Sequence, residues 1–444
     1  MVFVETPAQS PDHHGGRRAW RQVLVGHLVM FNSFGLIQSF GIFQPAYEVH
    51  LNRTPFAVSW IGSVHIFLVY FIGTFSGRAL DAGHYRNMLG VGLMIQLVGL
   101  LAASSSETYP MAFAFHGVFQ GIGHGLMFCP SVTNTALFFG RKNRMLAMSI
   151  TGSGAATGGI IFPAIASLTL ERLGVEWTLR IFGFVVLGTS LIIFLLARPH
   201  DKKIKRRQQT NIERSQEKKS LTLVDWKAFR DPVYALFVVA MFFIFTALWI
   251  PFFYIRDFTS SALHIPRTQS LILVLLMNAC GIPGRILPAL LADRRIGTIN
   301  TYILILLVMS ITILFWPLVM SSPGMYVWAC AYGFCAGGTS SFLQAGIASL
   351  QDGPDSSSDS GGERTNTRKQ GKLGVRIGMA FSIVGFAGLI GGPVGGQLIK
   401  AGQGRGEGGQ FLYLQLFTGG IMVLGCVILV CARWVATGAL WRRV

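Results

Sequence analysis

Acidic residues are scarce in this chain. Only 19 Asp and Glu stand among 444 residues, each in a polar connection or at the end of an apolar run. That excludes a pair of interior carboxylates working as general acid and base, and it leaves no mid-run carboxylate to carry a proton. Other signatures are missing too. No Gly-x-x-x-x-Gly-Lys-Ser/Thr occurs, so a nucleotide-driven pump would lack its phosphate cradle. Gly404, Gly406 and Gly409 fit Gly-x-Gly-x-x-Gly, but no strand precedes them and they read as a flexible turn. There is no Gly-x-Ser-x-Gly nucleophile motif. The six cysteines lie scattered in apolar runs without the clustered His and Cys spacing of a zinc site, and read as small packing residues. An enzyme is therefore not expected, and neither is a cofactor or metal.

What the chain has in quantity is apolar surface. Hydrophobic residues make up 51% and charged residues 13%, with a mean hydropathy of +0.52, which suits lipid rather than water. The 53 glycines would weaken soluble helices but let membrane helices approach closely. Runs of spanning length lie at about Val23–Tyr47, Ala57–Gly77, Met88–Ala103, Tyr109–Phe139, Met145–Leu168 and Arg180–Ala197. Six more follow at about Val233–Ile255, Ser270–Ala292, Thr301–Met320, Tyr326–Leu350, Val375–Ile399 and Phe411–Ala432. An all-α membrane protein of twelve transmembrane helices is the expectation. The first run is too long for a secretory signal, so the chain is read as mature.

The net charge of +18 raises nucleic acid as a partner, but the positions of the basic residues argue against it. With both termini and the even-numbered connections placed in the cytoplasm, 29 Lys and Arg fall inside and 7 outside, which sets the orientation. The densest basic run, Lys202 to Arg207, then faces the anionic inner leaflet. The expected organisation is a disordered tail at 1–20, a six-helix bundle at 21–197, a basic cytoplasmic linker at 198–230, a second six-helix bundle at 231–434 and a cytoplasmic tail at 435–444. A mobile cytoplasmic loop at 351–374 interrupts the second bundle.

The two bundles repeat one another in order. An offset of 233 lays Ala147, Ser149, Ile150 and Gly152 on Ala380, Ser382, Ile383 and Gly385, and Gly158-Gly159 on Gly391-Gly392. An offset of 216 lays Gly117 and Gly121 on Gly333 and Gly337. Two related bundles predict a site between them.

Three segments resemble the major facilitator superfamily, and within it the fungal type of the monocarboxylate-porter branch. The loop from Gly77 through Asp81 to Gly83, with Arg86, is similar to the superfamily's loop signature, and Asp293-Arg294-Arg295-Ile296-Gly297 is its counterpart. Phe138 to Ala147, running into Gly152, Gly154, Gly158 and Gly159, resembles the span-five signature. Gly284-Arg285 resembles the place where family members carry a substrate-related arginine. There are departures. Gly15-Gly16-Arg17-Arg18-Ala19-Trp20 lacks the acid of the motif before span one, Gln38 stands where animal members have a lysine, and Gly281 where they have an aspartate. The resemblance implies two bundles rocking around a central site, with Asp81, Arg86, Arg141, Arg144 and Asp293 as cytoplasmic gating charges. Without it they read as ordinary positive-inside residues.

Inside the spans, Arg285 is the only base expected away from a loop. An unpaired cation in hydrocarbon costs at least ~2.5 kcal/mol on insertion scales, so its partner is either a substrate carboxylate or helix carbonyls. Asn32 and Gln38 on span one, Gln120 and His124 on span four, Asn278 on span eight and Gln344 on span ten are the other candidate substrate contacts. The competing reading for each is interhelical hydrogen bonding. His65 and His124 are the candidate proton carriers, since imidazole titrates near neutral pH; a lone membrane histidine also serves as a packing residue. The aromatic residues of span seven read as lipid or packing contacts.

The functional expectation is a transporter of a small organic solute bearing a carboxylate, working by alternating access, with protons as a candidate coupling ion. A carrier of a larger neutral or aromatic metabolite and a non-transporting membrane sensor are the alternatives. A monomer in the plasma membrane, with lipid and a small-molecule substrate as partners, completes the expectation.

Overall fold

The computed structural model describes residues 16–81, 83–139, 144–198, 226–292, 296–351, 363–404 and 408–438. Among them there is no strand. The helices are α1 (Arg17–His50), α2 (Pro55–Asp81), α3 (Tyr85–Ala103), α4 (Tyr109–Ala112), α5 (Gln120–Leu137), α6 (Arg144–Gly152) and α7 (Gly154–Leu196). After the linker come α8 (Pro232–Ala262), α9 (Arg267–Leu291), α10 (Thr298–Leu314), α11 (Ser322–Gln351), α12 (Glu363–Ala401) and α13 (Leu412–Thr437). Nine helical stretches among the described residues are long and apolar enough to cross a bilayer.

One element departs from the hydropathy reading for a local reason, and another carries a turn between two of the expected runs. Between α4 and α5 the chain runs as a π-helix over Phe113–Phe119, a rare geometry that widens the turn and carries His116 inward. The 52-residue apolar stretch at 145–196 is far longer than a bilayer requires. It bends at Gly174, whose φ of 75° and ψ of 177° suit glycine alone. The Thr178 hydroxyl there donates to Thr169 Oγ1 at 3.0 Å. Nine residues of straight helix would hold those atoms about 13 Å apart, so the chain folds back on itself.

The internal repeat is visible in how helices touch. A methyl group at Gly158 would collide with the Phe31 carbonyl on α1, and one at Gly391 would stand 2.8 Å from the Thr246 carbonyl on α8. Likewise Gly121 lies against the backbone of His65 on α2, and Gly337 against that of Gly281 on α9. The glycines aligned by sequence therefore perform the same close approach in each half, as packing without a hydrophobic driving force demands.

The halves meet along two seams. On one, α2 runs beside α12: Thr74 donates to the Gly378 carbonyl at 2.6 Å and lies 2.9 Å from Ser382 Oγ, while Gly385, Gly388 and Gly392 accept Phe67, Ile66 and Ser63. On the other, α6 and α7 meet α9, where Gly159 abuts Asn278 and Gly152 approaches the Arg285 side chain. Between the seams lies a cavity.

Candidate functional site

The cavity is a partly open cleft between the helices. Both halves line it. From the first come Met30, Phe34, Gln38, Tyr70, Phe128, Val132 and Met148; from the second come Leu248, Trp249, Phe252, Met277, Asn278, Arg285, Ser340, Ser341 and Phe381. Six aromatic side chains, Phe34, Tyr70, Phe128, Trp249, Phe252 and Phe381, stand in the wall. Phe34 sits edge-on to Phe128 at 5.2 Å and to Tyr70 at 6.0 Å. Across the interface the Phe34 and Trp249 rings lie nearly parallel, 8° apart, with centroids separated by 6.2 Å.

Few polar atoms interrupt this wall. Arg285, 8% exposed, donates from Nη1 to the Gly281 carbonyl one turn back, at 3.0 Å. It makes no ion pair among the described residues, so most of its five N–H groups remain for a ligand. Gln38 donates to the Ala155 carbonyl at 3.0 Å and leaves Oε1 unpartnered; Trp249 Nε1 is likewise buried without an acceptor. Asn278 donates to the Val274 carbonyl at 3.1 Å and turns its oxygen toward Gly159. One cation, one open acceptor and one open indole N–H in an apolar chamber suit an amphipathic guest with an acidic group.

Only part of the expected site assembles here. Arg285, Gln38 and Asn278 line the cavity. Asn32 does not: its Oδ1 accepts from Thr189 on α7 at 2.9 Å. Six residues of helix rotate Asn32 and Gln38 about 120° apart, so the two never shared a face, whereas Met30, Phe34 and Gln38 do. Gln120 donates to the Gln96 carbonyl at 2.7 Å inside the first bundle, and His124 is fully buried there. The span-seven aromatic residues expected to face lipid or packing instead include two cavity residues, Trp249 and Phe252.

Three further expectations change. The histidines are not solitary: His65 Nε2 and His124 Nδ1 lie 2.7 Å apart, with His116 beside them. Arg285 is not the only buried base, because Arg433 near the end of α13 is also buried and donates to Asn300 on α10. Arg86 is exposed and lays its guanidinium 4.8 Å from the Phe194 ring centroid. Arg141 and Asp293 lie outside the described residues, as do the side chains of Asp81, Arg144 and Gln344. At that same end Arg376 of α12 stands 3.7 Å from Asp231 and over the Tyr234 ring, contacts within the second bundle that a loop-signature reading misses.

Residues 23–354 match the sequence profile of the Major Facilitator Superfamily. The chain belongs to that superfamily. As a major facilitator it is a multi-pass membrane protein of a transporter family rather than an enzyme. An MFS-type transporter of Gibberella zeae is 34% identical to it over 426 residues, covering 96% of this chain and 88% of the relative. The aspyridones efflux protein of Emericella nidulans is 28% identical, covering 97% and 81%. The agnestins efflux protein of Paecilomyces divaricatus is 30% identical, covering 93% and 86%. In this facilitator all six cysteines are free thiols; Cys129, Cys335 and Cys426 are buried, Cys280 and Cys330 half-buried and Cys431 exposed.

Proposed function

We propose that this chain exports an amphipathic organic metabolite, a largely apolar and aromatic body bearing one acidic group, by alternating access. The observation that carries the reading is the cavity itself: six aromatic side chains around a single buried guanidinium. A lining with six aromatic side chains favours a metabolite with a large apolar body over a small monocarboxylate, which would bury too little apolar surface to use the wall. Arg285 supports the acidic group, since a planar fork binds a carboxylate bidentately. The efflux names of two relatives support the outward direction. The same reading counts twelve crossings, with α4, the π-turn and α5 forming one and the segment folded at Gly174 forming two. It places both termini and the 198–230 linker in the cytoplasm of a plasma-membrane monomer, the 11 basic against 4 acidic residues of that linker opposing translocation.

The test uses pyrenebutyrate and its uncharged counterpart pyrenebutanol as fluorescent probes on protein in lipid nanodiscs. Wild type is expected to bind the acid at least tenfold more tightly than the alcohol. Arg285→Gln should erase that preference, and Arg285→Lys should recover only part of it, because lysine keeps the charge without the fork. Equal affinity of wild type for acid and alcohol, or an unchanged preference in folded Arg285→Gln, would refute the acidic-substrate reading.

A further inference from the structure

The first bundle buries a polar chain that the cavity does not use. His65 on α2 and His124 on α5 share one hydrogen bond of 2.7 Å with their rings stacked, centroids 4.9 Å apart. His116, carried by the π-turn, has its ring 6.4 Å from that of His65 and lies 2.9 Å, through Nδ1, from the Tyr47 hydroxyl on α1. All four side chains are 3% exposed or less.

Two neutral imidazoles joined by a single hydrogen bond leave one outer N–H without an acceptor and one outer lone pair without a donor. Those outer atoms are His65 Nδ1 and His124 Nε2, and both are buried and unpartnered. Each such orphan is destabilising, a poor design for a purely structural pair, and buried orphans that persist call for an explanation in function. The groups acting electrostatically on the pair are His116 and one another. From α1 the one titratable group facing the cluster is Tyr47, beside the rings of Phe40 and Phe43 on His116. No carboxylate, Lys or Arg reaches it among the described residues.

Depth matters as well. His65 is ten residues into α2, about 15 Å along the helix and hence near the bilayer centre, whereas Tyr47 is one turn from the outer end of α1. With ring centroids 6.4 Å apart, His116 and His65 are beyond a direct hydrogen bond, so a proton passing between them requires one bridging water.

We infer that the His65–His124 pair is the proton-carrying site of this transporter, loaded from the outer face through Tyr47 and His116. The inference rests on the export reading for the direction of substrate movement. One proton from external water binds the pair as substrate leaves outward, the charge being shared between two ring nitrogens, and it departs to the cytoplasm when the inner side opens. No other bond forms or breaks. Substrate and proton thus occupy separate sites, the one between the bundles and the other inside the first.

The test has two arms on full-length protein in phosphatidylcholine–phosphatidylglycerol vesicles. In the first, 15N-histidine spectra are followed from about pH 5 to about pH 8, where imidazole titrates. In the second, with membrane potential clamped, a gradient of about one pH unit drives pyrenebutyrate accumulation, limited to about tenfold per proton exchanged. His65→Gln and His124→Asn keep a polar atom near the bonded nitrogen but cannot titrate. Each is expected to remove the titrating signal and to cut accumulation from about tenfold to none, while gradient-free exchange stays within about twofold. Tyr47→Phe should slow loading without abolishing it. Absence of histidine titration in wild type, wild-type accumulation in either variant, or joint loss of exchange and accumulation would each overturn the inference. Should wild type move no pyrenebutyrate, the export reading fails while the nitrogen spectra still decide the proton site.

Discussion

The two halves share a helix plan and glycine contacts but are filled differently. The interior of the first bundle is polar: Gln22, Asn32, Gln96, His116, Gln120 and Asn134 are buried beside the histidine pair, bonded across helices. The interior of the second is aromatic, with Trp316 tilted against Trp328, Trp328 stacked on Tyr332 and Phe258 edge-on to both Trp316 and Phe411. Among the described residues its buried charge is confined to Arg285 and Arg433. On the proposed reading the frame is divided between two jobs: the half with adaptable hydrogen bonds holds the proton-carrying histidines, and the aromatic half presents a fixed cation to the chamber.

The comparison breaks most severely at the shared contacts. Gly158→Ala inserts a methyl into the α1 backbone and should destabilise the protein by about 3 kcal/mol, whereas Gly391→Ala, with more room, should cost nearer 1 kcal/mol. Thermal unfolding in nanodiscs measures both, and equal effects would mean that the halves pack with the same tolerance. Next in size are the rings facing one another across the interface. Trp249→Ala should weaken pyrenebutyrate binding about tenfold to fiftyfold, and Phe34→Ala somewhat less, in keeping with buried aromatic contacts. An unchanged affinity in both would remove the rings from the binding site.

Gating should register more weakly. Asp81→Asn is expected to slow transport severalfold at constant binding affinity, because a gate charge shifts populations rather than touching ligand. Flux and equilibrium binding measured on one preparation separate these, and wild-type values for both would leave Asp81 a topogenic residue. The smallest effect belongs to the polar frame. Asn32→Leu and Gln120→Leu should leave pyrenebutyrate affinity within about twofold while lowering stability by about 1 kcal/mol each. A tenfold affinity loss in either would return that residue to the substrate site.

The helices and their close contacts were readable from sequence because bilayer thickness sets run length and close helix approach demands small residues, as Gly158 and Gly391 show. The cavity was readable only in part. Arg285 announces itself by the cost of burying a cation, but choosing Gln38 over Asn32 requires the rotation of α1, which a polar stripe extending over two turns blurs. His116 escaped notice because a π-turn changes the direction in which every later side chain points, and nothing in Phe113–Phe119 advertises that geometry. Trp249 and Phe252 carry no label either, since lipid and ligand ask the same thing of an aromatic ring. Arg433 fell just beyond a boundary drawn at Ala432, where a long side chain's own burial decides the end of the span.

The fold-back at Gly174 decides parity. A continuous helix through 154–196 would cross the membrane once, and every downstream segment would then emerge on the opposite face: the basic linker, the Arg376 contacts and the C-terminal end alike. One residue free to take φ near 75° thus lets the second bundle, in the proposed topology, enter the membrane from the same face as the first. A reporter whose fluorescence depends on compartment, attached after Thr437, would read out that single turn as a change of side.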